Sequence, residues 1–301
     1  MNRTDTLYTG WHLFINELKR IFRGINYIAE MDITDRCNLK CKHCYQAGNT
    51  NHSDEIPLSV WEQRLSSLYK SGIRAVVLVG GEPSLRPDIL KLANETFPLI
   101  AVITNGVKKI DEEFKHPIFI SMDGGQETND SIRGKGTFAR IMENYSGDTR
   151  VYINITLMKE NYRELEAVVL LAKQHGFQGV VCNIYSSCLG NNAQLSISTE
   201  DRKMIITELK RVKMLYPKML DISWATIKWF EDADHRDSCF WRENVAHFDI
   251  NWNSRKCFSD LADCSNCGSF SGALGFPWKK IVNYPIERIK MFGRQEGGLH
   301  V

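Results

Sequence analysis

No stretch of this 301-residue chain is long and apolar enough to span a membrane, and no apolar run follows its start as in a secretory signal. Neither secretion nor a spanning helix is expected. Internal repeats and low-complexity tracts are missing too, which excludes a repeat architecture. Charge of one sign is also lacking. The 38 Lys and Arg stand against 36 Asp and Glu, a net +2, so no long-range field argues for a nucleic-acid partner or an acidic surface. The composition is that of an ordinary globular protein, at a length that suits one large domain with a small appendage or two modest ones. Nine cysteines stand out against that background.

Residues 11–23 place apolar side chains at helical spacing with basic residues between them. Such a helix can cap the core or lie on an anionic membrane surface. Only three basic residues cluster there, which favours packing and leaves peripheral membrane contact open.

From residue 28 onward, nearly continuous apolar runs alternate with helical patterns. Strands are expected at 28–33, 75–79, 100–104, 118–122, 151–157 and 179–184, buried on both faces. Helices are expected at 60–70, capped by a Ser59–Glu62 box and stopped by Gly72, at 165–175 before Gly176, and at 199–215. Six strand–helix units imply a parallel sheet with right-handed crossovers; whether it closes is not legible in the pattern. Chemistry in such folds gathers at the carboxyl ends of strands. Unusual residues fall there six times: Cys37, Gly80-Gly81-Glu82-Pro83, Asn105-Gly106, Ser121 with Asp123-Gly124, Asn154 and Thr156, then Asn183 with Ser186.

Cys37, Cys41 and Cys44 form a C-x3-C-x2-C loop just past the first strand, with no fourth cysteine nearby. Three thiolates leave one iron of a four-iron cubane without a protein ligand, and an open position marks a metal site that does chemistry. Structural zinc is the competing reading, with Cys41-x2-Cys44 as one half and His43 as an added ligand. The three-residue gap and the missing second pair speak against it. Thiolates held for iron need a reducing compartment, so a cytoplasmic location is expected.

The cysteine loop resembles that of the radical S-adenosylmethionine (SAM) enzymes. Gly80-Gly81-Glu82-Pro83 resembles their second hallmark, and Ser121-Met122-Asp123-Gly124 with Asp130-x2-Arg133-Gly134-x-Gly136-x-Phe138 resembles the branch carrying a C-terminal auxiliary-cluster domain of SPASM or twitch type. The likeness covers residues from about 28 to 190. It implies a partial (β/α)6 TIM-like barrel, α/β in class, with a small cysteine-containing C-terminal extension. It also implies a [4Fe–4S] cluster on Cys37, Cys41 and Cys44, with SAM at the open iron. Gly80 and Gly81 would let backbone approach SAM closely, with Glu82 supporting the loop. Ser121 and Asn154 would contact SAM. Arg133 would pair with a carboxylate of SAM or substrate, or else order the next loop through a salt bridge.

Past Leu215 the alternating pattern fades and Cys239, Cys257, Cys264 and Cys267 appear among Trp224, Trp229, Phe240, Trp241, Phe248, Trp252, Phe258 and Phe270. Four thiolates suit a closed [4Fe–4S] cluster and zinc equally. The resemblance favours a second cluster of twitch type, and whether Cys239 is a ligand stays open. Cys182 reads as core packing and Cys188 as an inert thiol near the rim. The expected division is a helical extension at 1–27, the core at 28–215 and the auxiliary domain with its tail at 216–301.

The resemblance implies reductive SAM cleavage to a 5′-deoxyadenosyl radical and hydrogen abstraction from a small-molecule, lipid-precursor or peptide substrate, with flavodoxin or ferredoxin as electron donor. No peptide-recognition domain is expected before Cys37. An iron–sulfur redox sensor or electron carrier is the non-enzymatic alternative, and it has no use for the Gly80–Pro83 loop. RNA modification is a third reading, which the near-neutral charge does not encourage.

Overall fold

The computed structural model describes residues 28–46, 54–187, 195–237, 239–260 and 262–269. The expected helix at 11–23, Cys188 and Phe270 lie outside them.

In chain order the elements are β1 (Ile28–Asp32), α1 (Leu58–Ser71), β2 (Ala75–Val79), α2 (Pro87–Thr96), β3 (Leu99–Thr104), β4 (Ile118–Ser121), α3 (Gln126–Arg133), α4 (Thr137–Tyr145), β5 (Val151–Leu157), α5 (Leu165–Gln174), β6 (Gly179–Ile184), α6 (Thr199–Leu215), α7 (Trp224–Glu231), α8 (Phe240–Asn244) and β7 (Ala246–Phe248). The strands form one parallel sheet in the order β6-β5-β4-β3-β2-β1-β7. Parallel strands joined by helical crossovers are covered on both faces, and β1, β2 and most of β3 are buried accordingly. Cys182 on β6 is fully buried in this core, and burial pushes its thiol well above the ordinary value. Among the described residues no helix is long and apolar enough to cross a membrane.

Two expectations need correction. The sheet has seven strands rather than six. Residues 246–248 lie where the alternating pattern fades, yet they pair with β1 as Ala29 with Ala246, Glu30 with His247 and Met31 with Phe248. A three-residue strand after a five-residue helix is too short to show a period. The Ser59–Glu62 capping box does not form. Helix α1 starts at Leu58 after Pro57, without a side-chain cap, because the Pro57 carbonyl accepts from the Val60 and Trp61 N–H groups. Gly72 ends that helix at φ 109° as expected. A capping box does form at Ser198 and Asp201, at the start of α6.

The turn after β7 is clamped to α1. Fully buried Trp61 meets Trp252 edge to face at 5.7 Å, Trp252 stacks on Phe248 at 4.6 Å, and the Arg64 guanidinium lies about 5 Å from both tryptophan rings. Arg64 also donates to the Ile250 carbonyl at 3.1 Å. Replacing Trp61 with Ala empties the centre of this clamp. It should destabilise the protein by about 3–5 kcal/mol, read as a lowered denaturation midpoint.

Candidate active site

The loops after β1 and β2 interlock through their backbones. Gly81 N–H donates to the Thr34 carbonyl at 2.7 Å, and Glu82 N–H donates to the Arg36 carbonyl at 2.8 Å. A Cβ added at Gly80 would sit 2.4 Å from Thr34 O, and one at Gly81 would sit 2.2 Å from Arg36 O. Gly80 also has φ 124°, in the region that favours glycine. The close approach these glycines permit is thus to the cysteine loop itself. Beneath them the Glu82 carboxylate, 1% exposed, accepts from the Ser84 N–H, the Thr104 hydroxyl and the Asn105 N–H. These bonds tie Glu82 to the loop that carries it and to the end of β3.

The cysteine loop is held from two further sides. Asn105, after β3, donates to the Asn38 side-chain oxygen at 2.7 Å and reaches the Cys37 sulfur at 4.0 Å. At the carboxyl end of α3, the Ile132 carbonyl accepts from Lys42 N–H at 3.0 Å and the Arg133 carbonyl faces the Cys41 sulfur at 3.9 Å. The Arg133 side chain meets a carboxylate of the protein itself. Its Nε lies 2.7 Å from Asp123 Oδ2, a largely buried ion pair next to His43, whose Nε2 is 3.3 Å from the same oxygen. Asp123 is itself fixed by Thr156 N–H at 2.9 Å. Burial holds His43 down to about 4, against the pull of Asp123. Arg133 therefore orders the loops around the cysteines, while one side of it still borders open space.

Cys37, Cys41, Cys44, Gly80, Gly81, Glu82, Ser121, Arg133 and Asn154 all line one cavity of about 270 Å³. On its β5–β6 side the Asn154 side-chain oxygen accepts from Asn183 at 3.0 Å. Burial pushes the thiols of Cys37 and Cys44 up and that of Cys41 to about 11. Three half-buried thiols raised in this way become thiolates more readily beside a bound cation. That donor set, facing open space on one side, fits a metal cluster with an exposed position.

The four C-terminal cysteines also converge. Cys239, just before α8, lines a second, smaller cavity with Cys257, Cys264 and Cys267. Its loop docks on the end of β6. The Gly268 carbonyl accepts from Ile184 N–H at 2.8 Å, Gly268 N–H donates to the Ser186 hydroxyl at 2.5 Å, and a Cβ at Gly268 would lie 2.0 Å from Ile184 O. Buried Arg202 on α6 holds the same turn through the Asn266 side chain at 2.8 Å. Burial raises the Cys239 and Cys257 thiols, and that of Cys267 to about 11. The two cavities share Ser186, Trp241, Phe258 and Ser269 as lining residues. Tyr45, next to Cys44, meets Phe258, next to Cys257, edge to face at 5.3 Å.

Sequence reasoning missed Glu30, Tyr45 and Gly268 as members of this region. Glu30 is the one signal that was available, as a charged residue inside an apolar strand.

Residues 31–172 match the model of the radical SAM superfamily. Over those residues, just under half of the chain, it is similar to a radical SAM domain. Fe-coproporphyrin III synthase of Methanosarcina barkeri is 30% identical over 64% of this chain and 53% of its own length. Mycofactocin maturase MftC of Mycolicibacterium smegmatis is 29% identical over 48% of this chain and 41% of its own. The chain thus spans about half the length of the curated relatives it matches. The fold is also that of Streptococcus suis SuiB, solved bound to the precursor peptide SuiA. The TM-score is 0.63 at 15% identity, covering 85% of this chain and 65% of that one. The family implies a [4Fe–4S] cluster and SAM.

Because Gly81 packs on the cysteine loop, Gly81→Val should displace that loop. Anaerobically reconstituted variant protein should lose iron from the Cys37 site as well as SAM affinity. Full iron content with SAM binding alone lost would place the glycine's role at the ligand instead.

Proposed function

We propose that this chain is a radical SAM enzyme that abstracts hydrogen from an organic substrate held in the 270 Å³ cavity, with a second iron–sulfur cluster on its C-terminal cysteines. The observation that carries the reading is the shared cavity. Cys37, Cys41 and Cys44 and the polar ends of β4 and β5 face the same cavity. When bound, the cluster supplies the electron that breaks a C–S bond of SAM, giving methionine and a 5′-deoxyadenosyl radical.

The chain's own residues position and enclose. Cys37, Cys41 and Cys44 supply the thiolates. Asn105 and the Arg133–Asp123 pair hold the loop that carries them. The strand-end carbonyls of Gly80 and Gly81 and the side chains of Ser121 and Asn154 offer acceptors and donors for the amino-acid and ribose parts of SAM. Tyr45, Trp241 and Phe258 give an apolar wall that keeps water from a reactive intermediate. An electron carrier would have no need of that cavity. SuiB with its bound peptide and the two relatives above leave peptide and small-molecule substrates both open.

Four cysteines, Cys239 included, around one cavity support a closed second cluster. Among the described residues, no three His, Cys, Asp or Glu side chains are placed to share a single metal ion.

Reconstituted protein with SAM and dithionite should form 5′-deoxyadenosine and methionine. Replacing Cys37, Cys41 and Cys44 with Ala should abolish both, and a triple variant that cleaves SAM at the wild-type rate would sink the reading. Changing Cys264 and Cys267 to Ala should leave about four irons per chain. Stoichiometric zinc, with iron unchanged in that double variant, would retire the second cluster and leave the first standing.

A further inference from the structure

Glu30 is a buried carboxylate that faces this cavity. It sits in the middle of β1, 6% exposed, and lines the cavity. Other acidic and basic groups nearby have partners of opposite charge or several hydrogen bonds. Arg133 is paired with Asp123, Glu82 receives three hydrogen bonds, and Asp32, two residues along β1, is held by both Nη atoms of Arg255 at 2.5 and 2.8 Å. An ionised carboxylate offers about four acceptor sites.

Its contact across the β1–β7 seam is His247, whose Nδ1 lies 3.3 Å from Glu30 Oε1. The other ring nitrogen, Nε2, lies 3.2 Å from the Trp241 carbonyl. A carbonyl can only accept, so Nε2 carries the proton. Nδ1 can then give a proton to Glu30 only from a charged ring, and that contact engages Oε1 alone. A buried carboxylate in that position is costly unless a donor or cation reaches it, and the open side of Glu30 is the cavity.

We propose that Glu30 anchors a substrate group that carries positive charge and N–H donors, an amidinium, guanidinium or protonated amine. This rests on the reading of the cavity as the substrate site. SAM also bears an ammonium and a sulfonium, and its suggested contacts run from Gly80 and Gly81, after the neighbouring strand β2, to Ser121 and Asn154 on β4 and β5, so the substrate group is sought with SAM already in place. Glu30 belongs to the wall facing the C-terminal cysteines. Its charge is felt at Tyr45 and at Cys257. A cationic group docked there would present the attached carbon skeleton between the two cysteine sites.

The test uses three planar probes of similar size and different charge, benzamidine, benzamide and benzoate. They are titrated by ligand-observed NMR into oxidised, SAM-saturated holoenzyme. Benzamidine should bind about tenfold more tightly than benzamide, with benzoate weakest, and Glu30→Gln should erase the preference. No preference on the wild-type protein would overturn the proposal and would mean that an imidazolium at His247 or SAM itself already satisfies Glu30. A preference that survives in Glu30→Gln would overturn it as well. SAM binding, measured in the same wild-type samples, separates the two levels. Absence of SAM binding refutes the cavity's proposed function, whereas SAM binding without cation preference refutes the role of Glu30 alone. The wild-type comparison of probes stands even where the variant folds poorly.

Discussion

Everything at the rim hangs on two backbone hydrogen bonds between the loops that follow β1 and β2. Gly81 N–H to Thr34 O and Glu82 N–H to Arg36 O extend the β1–β2 ladder past the ends of the strands. They fix where the cysteine loop leaves the sheet. The contact has no room for a side chain, since a Cβ on either glycine would overlap a carbonyl oxygen. Glu82 then ties the same loop to β3 through Thr104 and Asn105, and Asn105 reaches back to Asn38. Three consecutive strand ends are thereby locked into one rigid edge, as a site with fixed geometry requires.

The same device recurs at the other end of the sheet. Gly268 lies against the Ile184 carbonyl at the end of β6, as Gly81 lies against Arg36. In both places a glycine lets a cysteine-bearing loop dock on backbone rather than on side chains. Backbone docking is indifferent to the identity of the neighbouring side chains, so the loops can carry cysteines, aromatics and charges without loss of register. Because β7 returns to pair with β1, the C-terminal cysteines come back to the edge of the first cavity, and four residues serve both.

Much of this was legible in the sequence, for identifiable reasons. Six strands stood out because strands buried on both faces read as unbroken apolar runs, and the rim residues fell where parallel sheets place their chemistry. The three-cysteine spacing and the glycine pair were legible as local strings. The role of those glycines was not, because a close approach names no partner until the fold brings one. Arg133 likewise showed as a guanidinium in need of a carboxylate, and only the fold supplied Asp123. Strand β7 escaped because three residues carry no period. Glu30 escaped because a lone carboxylate within Ile28–Asp32 gives no hint of which wall it faces.

The burial of so many thiols has a consequence for how the molecule reaches its working form. Burial raises the thiols of Cys37, Cys41 and Cys44 in the first site, and those of Cys239, Cys257 and Cys267 in the second. Each must lose its proton to bind metal, which a buried thiol resists until a cation is beside it. Under the proposed function, metal loading and the final closing of each loop would be one linked equilibrium rather than two steps. Tyr45 and Phe258 are placed to carry that linkage between the sites. Each directly follows a cysteine in sequence, and their rings are in contact. Closing one loop presents an aromatic edge for the other to pack against, so the order gained at either site lowers the entropic cost of ordering the second.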